Sequence, residues 1–170
     1  MKSLERYLLS FGKKVLSGAK SAAADKGYSM GKDLNVRVKK LKDGGFSVQF
    51  MAPPHAEFVD KGVSGNKKTR YYKDYEGKKR KSPYKYGDKA PPSKVFEKWI
   101  KKKGIKGRDK KTGRFITRKA LSFIMAKSMQ VKGRDGIGIF QRPLELQYKR
   151  LHKNMAEAIK NDMKELIIKQ

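Results

Sequence analysis

"LNVRVKKLKDGGFSVQF", residues 34–50, is the stretch whose reading decides the fold. Leu34, Val36 and Val38, then Phe46, Val48 and Phe50, alternate with other residues on either side of "DGG". A period of two turns one side of each segment toward a core, and an Asp-Gly pair supplies the backbone angles of a tight turn. The spacing predicts two antiparallel strands, a hairpin over about residues 33–52. Pro53 and Pro54 end its second strand, because neither can donate a ladder hydrogen bond.

Upstream, Leu4, Leu8, Phe11, Val15, Ala19 and Ala22 recur at the helical period, with Ser3 as candidate cap and Gly27 as stop, predicting an N-terminal helix within residues 1–27. Downstream, residues 61–92 show little periodicity and read as an extended basic loop. "PPSKVFEKWIKKKGI", residues 91–105, then reads as a helix capped by Ser93 and stopped by Gly104. Val95, Phe96, Trp99 and Ile100 form its apolar face, with Phe96, Trp99 and Ile100 expected in the core and the lysines left outside. A second loop, "KGRDKKTGRF", leads to a helix from about Phe115 to Val131, and "KGRDGIGIFQRP" turns the chain. Leu144, Tyr148, Leu151, Met155, Ile159, Met163 and Leu166 mark a long C-terminal helix over residues 143–168. The expected fold is α+β: a small antiparallel sheet packed with an N-terminal helix, two central helices and a long C-terminal helix, in one domain over 1–170.

The 44 Lys and Arg against 16 Asp and Glu give a net charge of +28, which points to a polyanionic neighbour, either nucleic acid or an acidic protein surface. The charge is focused: residues 61–119 hold 23 basic and 5 acidic residues, net +18. With no cysteine, disulfides, thiolate metal sites and a cysteine nucleophile are excluded. No stretch approaches the roughly 20 apolar residues that span a bilayer, and the N-terminus lacks a signal-peptide pattern, so no membrane partner and a soluble compartment are expected.

Catalytic patterns are weak. His55 beside a Pro-Pro turn and His152 on a helix read as surface or packing residues. Glu57 and Asp60 read as ion-pair partners for lysines, and with His55 they offer too few nitrogen or sulfur ligands for a first-row metal. "GRDGIGIF" has neither dinucleotide-fingerprint nor P-loop spacing and reads as a turn with close backbone packing. No catalytic residue, metal or cofactor is expected. A third reading, a nuclease, would need a clustered carboxylate metal site, which Glu57, Asp60, Asp74, Glu76 and Asp88 could supply only if the fold brings them together.

The strongest chemical signal is the lysine- and tyrosine-rich loop. Lys67, Lys68, Arg70, Tyr71, Tyr72, Lys78, Lys79, Arg80 and Lys81, with Lys101, Lys102 and Lys103 of the following helix, are the candidate contacts to DNA or to a protein partner. Lysines neutralise phosphates, while tyrosines, Tyr75, Tyr84 and Tyr86 included, stack on bases or pack at interfaces. Lysines outnumber arginines, which argues against sequence-specific reading, since Lys lacks the fork that reads guanine.

The order of "MAPPHAEFVDKGVSG", "PPSKVFEKWIKKKGI" and "RKALSFIMAKSMQVKGRDGIGIFQRPLE" resembles the tail-completion and head-to-tail neck proteins of tailed bacteriophages. The matching positions are Ala56, Phe58, Val59, Asp60 and Gly62, then Pro92, Phe96, Trp99, Lys103, Gly104 and Ile105. They continue with Ala120 to Gly133, and with Ile139 and Phe140 before Pro143. The likeness covers Leu34 to Leu144; it departs where the usual Arg-Pro-Phe turn is "GIGIFQRP" and where residues 64–90 are expanded and basic.

The resemblance implies a structural, non-enzymatic virion protein of the neck or tail region, assembled in the bacterial host cytoplasm. It implies a homo-oligomeric ring of about six or twelve copies joining portal and tail proteins around the DNA channel, with double-stranded DNA as a further partner. Phe58, Val59, Gly62, Phe96, Trp99, Gly104 and Phe140 would be its structural motif residues, and residues 61–92 the reach to a neighbouring copy. A free, non-sequence-specific nucleic-acid-binding protein stands as the alternative.

Overall fold

The alternation around residues 34–50 produces the expected hairpin. In a computed structural model, which describes residues 2–168, β1 (Asn35–Lys40) pairs antiparallel with β2 (Phe46–Met51). The register sets Val36 opposite Phe50 and Val38 opposite Val48, so the apolar positions share one face. Gly44 takes φ +84° in the turn, and the Gly45 N–H donates to Asp43 Oδ1.

In chain order α1 (Lys2–Asp25) and a short 3-10 turn (Ser29–Asp33) precede the hairpin. After it come α2 (Ala56–Lys61), β3 (Val63–Ser64), β4 (Tyr71–Lys73), β5 (Lys79–Lys81), α3 (Ser93–Lys103), α4 (Arg118–Lys132), β6 (Gly133–Arg134), α5 (Gln141–Tyr148) and α6 (Leu151–Ile168). The fold is α+β with small two-stranded antiparallel sheets. Contacts within the chain group into two compact units: residues 1–60, 73–80 and 137–170 form unit 1, and residues 61–72 and 81–136 form unit 2.

Unit 1 is organised along α1. Its buried residues Leu4, Leu8, Phe11, Val15, Ala19 and Ala23 follow the helical period, and Val15, Ala19 and Ala23 are fully enclosed. At one end Leu4 and Leu8 pack with Ala158 of α6 and with Val38, Phe46 and Val48 of the hairpin. At the other, Ala23 joins Met30, Ala56, Val59 and Ile139. A fully buried side chain of the size of Val15 or Ile139 contributes about 1.5–3 kcal/mol, and an alanine methyl less.

Two glycines of α1 permit close approach. A Cβ at Gly12 would lie 2.7 Å from the Val36 side chain, and one at Gly18 would lie 2.9 Å from Pro143 of α5. The helix has no cap from Ser3, which lies inside the first turn. Instead α6 delivers Asp162, whose carboxylate accepts from the Ser3 N–H at 2.9 Å and the Leu4 N–H at 3.0 Å.

The C-terminal helix is two helices. At Arg150 the N–H bonds the carbonyl of Gln147, three residues back, while Lys149 remains in the right-handed helical region. The tightening leaves the apolar period almost unchanged, so sequence spacing reads straight across it.

Unit 2 pairs α3 with α4. α4 begins at Arg118 rather than at Phe115, and Thr117 caps it by accepting from the Ala120 N–H at 3.3 Å. Phe115 sits in an isolated bridge with Arg108 instead. Ser93 is the first residue of α3 and Pro92 occupies the cap, while Gly104 ends the helix at φ +65° as its spacing predicts.

Candidate functional site

The basic segment 61–92 is more ordered than an extended loop. Ser64 and Val63 pair with Gly133 and Arg134, and Ser64 also bridges to Lys85. The Asn66 N–H donates to Gln130 O and the Lys67 N–H to Val131 O, so the strand leaving β3 runs along the C-terminal end of α4. That approach requires glycine: a Cβ on Gly65 would stand 2.1 Å from Val131 O, and one on Gly133, at φ +66°, would stand 2.2 Å from Val63 O. Gln130, buried at the end of α4, donates through Nε2 to the carbonyls of Gly87 and Asp88. These bonds shape an open groove of about 470 Å³ lined by Asn66, Lys67, Lys85, Tyr86, Gly87 and Asp88. Two lysines, Lys67 and Lys85, and one acid, Asp88, line it.

Of the expected contacts, Lys67, Lys68, Arg70, Tyr71, Tyr72, Lys81, Lys101, Lys102 and Lys103 belong to unit 2, whereas Lys78, Lys79 and Arg80 belong to unit 1. The arginines and Lys78 are committed within the protein. Arg70 donates through Nε to Lys132 O at 2.8 Å and through Nη1 to Asp135 at 2.7 Å. Arg80 Nε donates to Asp74 Oδ2 at 2.7 Å, and Lys78 Nζ lies 2.7 Å from Glu76.

The Arg80 hydrogen bond, helped by the N–H groups of Lys78 and Glu76, holds the Asp74 carboxyl below its ordinary value. Glu76 correspondingly raises Lys78. This hairpin tip rests on α5 through Tyr75, whose ring stands edge-on to Tyr148 at 5.0 Å. Lys67, Lys68, Lys81 and Lys101 to Lys103 are exposed, and their side chains form no ion pair among the described residues. The last three also complement the negative end of the α3 dipole.

Residues 106–115, read from sequence only as a loop, form a built basic turn. Asp109 Oδ1 accepts from the N–H groups of Thr112 at 2.9 Å and Lys111 at 2.8 Å, which holds its carboxyl below the ordinary value. The Asp109 N–H donates to Arg114 O, and Gly113 takes φ +68°. Arg108 lies over the Phe115 ring at 4.3 Å, and Lys110, Lys111 and Arg114 are exposed. An Asp and a Gly four residues apart between basic residues was the available signal.

The apolar face of α3 is only partly core. Ile100 is buried and Phe96 half-buried, but Trp99 is 44% exposed and Val95 62%. The four residues span an arc of about 140°, wider than a single neighbouring helix covers. The facing side of α4 buries the small and polar Ser122, Ala126 and Gln130 and leaves Phe123 and Ile124 outside.

Val59 and Gly62 are buried, Phe58 is exposed, and Phe140 packs its ring 6.0 Å from Phe50. Asp60 caps α5: its carboxylate accepts from the N–H groups of Phe140 at 2.8 Å and Gln141 at 3.3 Å, and from Gln141 Nε2 at 3.1 Å. This replaces the expected lysine pairing with a backbone role. His152 packs against Tyr148 and His55 is exposed. Among the described residues no group of three or more His, Cys, Asp and Glu is placed to hold a metal ion, and no helix is long and apolar enough to cross a membrane.

Comparison with protein-family models, with curated proteins and with solved structures finds no match to this chain.

Proposed function

We propose that this chain is a virion structural protein of a tailed bacteriophage. On this reading it is a subunit of the neck or tail-completion ring that joins portal to tail around the DNA channel. The observation that carries the reading is the make-up of unit 2. Among the described residues its only buried hydrophobic side chains are Ile100 and Ala126, while Tyr71, Val95, Trp99, Phe115, Phe123 and Ile124 are each at least 44% exposed. A unit of roughly 70 residues with so small a core, and no cysteine to staple it, is the kind that gains stability from assembly.

Unit 2 also holds 22 Lys and Arg against 4 Asp and Glu, net +18, leaving +10 for the larger unit 1. In a ring each exposed lysine is repeated once per copy, so weak phosphate contacts add to a salt-dependent grip on a passing duplex. The exposed Lys67, Lys68, Lys101, Lys102 and Lys103 and the turn around Lys110 and Lys111 are the residues for that role.

The basic turn with Arg108 stacked on exposed Phe115 also favours a second reading, a free non-sequence-specific nucleic-acid-binding protein. Light scattering of the purified chain, at low and high salt, with and without a short duplex, separates the two. A discrete ring-sized species without DNA is the expected result. A monomer or dimer that binds duplex tightly and releases it with salt would overturn the ring in favour of the second reading.

A further inference from the structure

We infer that the basic turn of residues 106–115 is a binding site for unpaired nucleic-acid bases, with the Phe115 ring as its stacking surface and the cations around it on the phosphates. The inference rests on the nucleic-acid contact common to both readings and not on the ring.

The turn is built before any partner arrives. Arg108 and Phe115 are antiparallel bridge partners, closed on one side by the Asp109 N–H on Arg114 O and on the other by the Ile116 N–H on Gly107 O, each at 2.9 Å. Its base is seated on α4 at Gly107, where a Cβ would stand 2.9 Å from the Leu121 side chain, and the half-buried residue of the second arm is Ile116. Phe115 is left out of that packing, with 60% of its surface exposed. Facing residues of an antiparallel pair share one side of the ribbon, which is how Arg108 comes to lie over the ring at 4.3 Å.

Charge selects the class of partner. Arg108, Lys110, Lys111 and Arg114 are exposed and form no ion pair among the described residues. The one acid of the turn, Asp109, engages its Oδ1 with the N–H groups of Thr112 and Lys111. Just beyond, Arg118 and Lys119 occupy the first turn of α4 with no acid beside them, at the end of a helix dipole that disfavours cations. That placement works against the helix and in favour of a polyanion. Phosphate contacts alone give an exposed phenyl ring no role. A base offers a flat face, and stacking on an aromatic ring or a guanidinium plane is a common way to hold single strands. In a duplex those faces are closed by neighbouring pairs, so the ligand is an unpaired stretch.

The probe is an oligothymidylate of about 12 nucleotides, titrated by fluorescence anisotropy with the full chain beside a duplex of equal length. Phe115→Ala is expected to weaken oligothymidylate binding about tenfold, the worth of one stacked base, with its salt dependence unchanged and duplex affinity altered less than about twofold. Phe115→Tyr is expected to keep the parent's affinity. Lys110→Gln combined with Lys111→Gln is expected to act the other way, lowering the slope of log affinity against log salt on the single strand by about 1.4. Phe123→Ala, at a position 64% exposed on α4, is expected to change neither quantity. Irradiation of a bromodeoxyuridine-substituted oligonucleotide is expected to crosslink Phe115.

An unchanged affinity in Phe115→Ala, or equal losses on single strand and duplex, would overturn the inference. So would a crosslink that maps only outside the turn. Light scattering of the same proteins reads the ring separately. Loss of ring mass in Phe115→Ala with oligothymidylate affinity intact would assign the ring of Phe115 to a protein neighbour and remove the base site alone. A monomer that shows the tenfold loss would remove the ring reading and keep the site.

Discussion

The two units use apolar residues in opposite ways. Unit 1 buries Leu4, Leu8, Phe11, Val15 and their partners in two clusters along α1 and closes the helix ends with Asp162 and Asp60. Unit 2 buries Ile100 and Ala126, fills the rest of its interior with Ser64, Ser82, Ser122 and Gln130, and carries +18 of the +28. Unit 1 has the means to hold itself together. Unit 2 is held by backbone hydrogen bonds and glycine contacts, which fix geometry but supply little hydrophobic free energy, so its stability is expected to come from what it binds.

The sharpest way to break this contrast is to place one charge in each unit. Val15→Asp, at a fully enclosed position, is expected to cost more than about 4 kcal/mol and unfold the chain. Val95→Asp is expected to change the unfolding free energy, read by denaturant titration, by less than about 0.5 kcal/mol while abolishing assembly. Equal losses of stability would mean that α3 already has a core.

Glycine tests come next. Gly133→Ala, which places a methyl against Val63 O, is expected to cost at least about 3 kcal/mol and to disorder unit 2 first, read by hydrogen exchange. Gly104→Ala, at φ +65° but facing open space, is expected to cost about 1 kcal/mol.

Charge gives a smaller effect. Neutralising Lys110 and Lys111 with glutamine is expected to reduce the slope of log duplex affinity against log salt by about 2, and the same change at Lys13 and Lys14 to leave it nearly unaltered.

The smallest effect is in acid. Burial pushes the Asp162 carboxyl up, but the N–H donors of Ser3 and Leu4 outweigh it and leave it below 3.8. A carboxyl held lower in the folded state gives stability that is complete above its unfolded value and is lost as pH falls through the folded one. The parent is therefore expected to lose this contribution below about pH 3.8. Asp162→Asn should show a weaker dependence of melting temperature on pH there.

The hairpin and α1 were legible because their order is local: a period of two, a period of 3.6, and a Gly-containing turn. The break at Arg150 was not, because the backbone stays helical and the apolar spacing runs through it. Order in residues 61–92 was hidden because it comes from backbone bonds to α4, more than 40 residues away, through Gly65 and Gly133. The lysine positions of the candidate site could be read, but their pairing could not. Arg70 finds Asp135, and Arg80 finds Asp74, only once the chain has folded. Trp99 misled because an apolar residue at helical spacing does not say whether its partner lies in the same chain.

The most direct test of the contrast is amide hydrogen exchange of the free chain, repeated under assembling conditions. The account predicts that α1 around Val15 and Ala19 exchanges only by global unfolding. α3 and α4 should exchange far faster in the free chain and gain most of the protection on assembly. If α3 and α4 are already as protected as α1, or if the gain falls on α1, unit 2 is not the part completed by a partner.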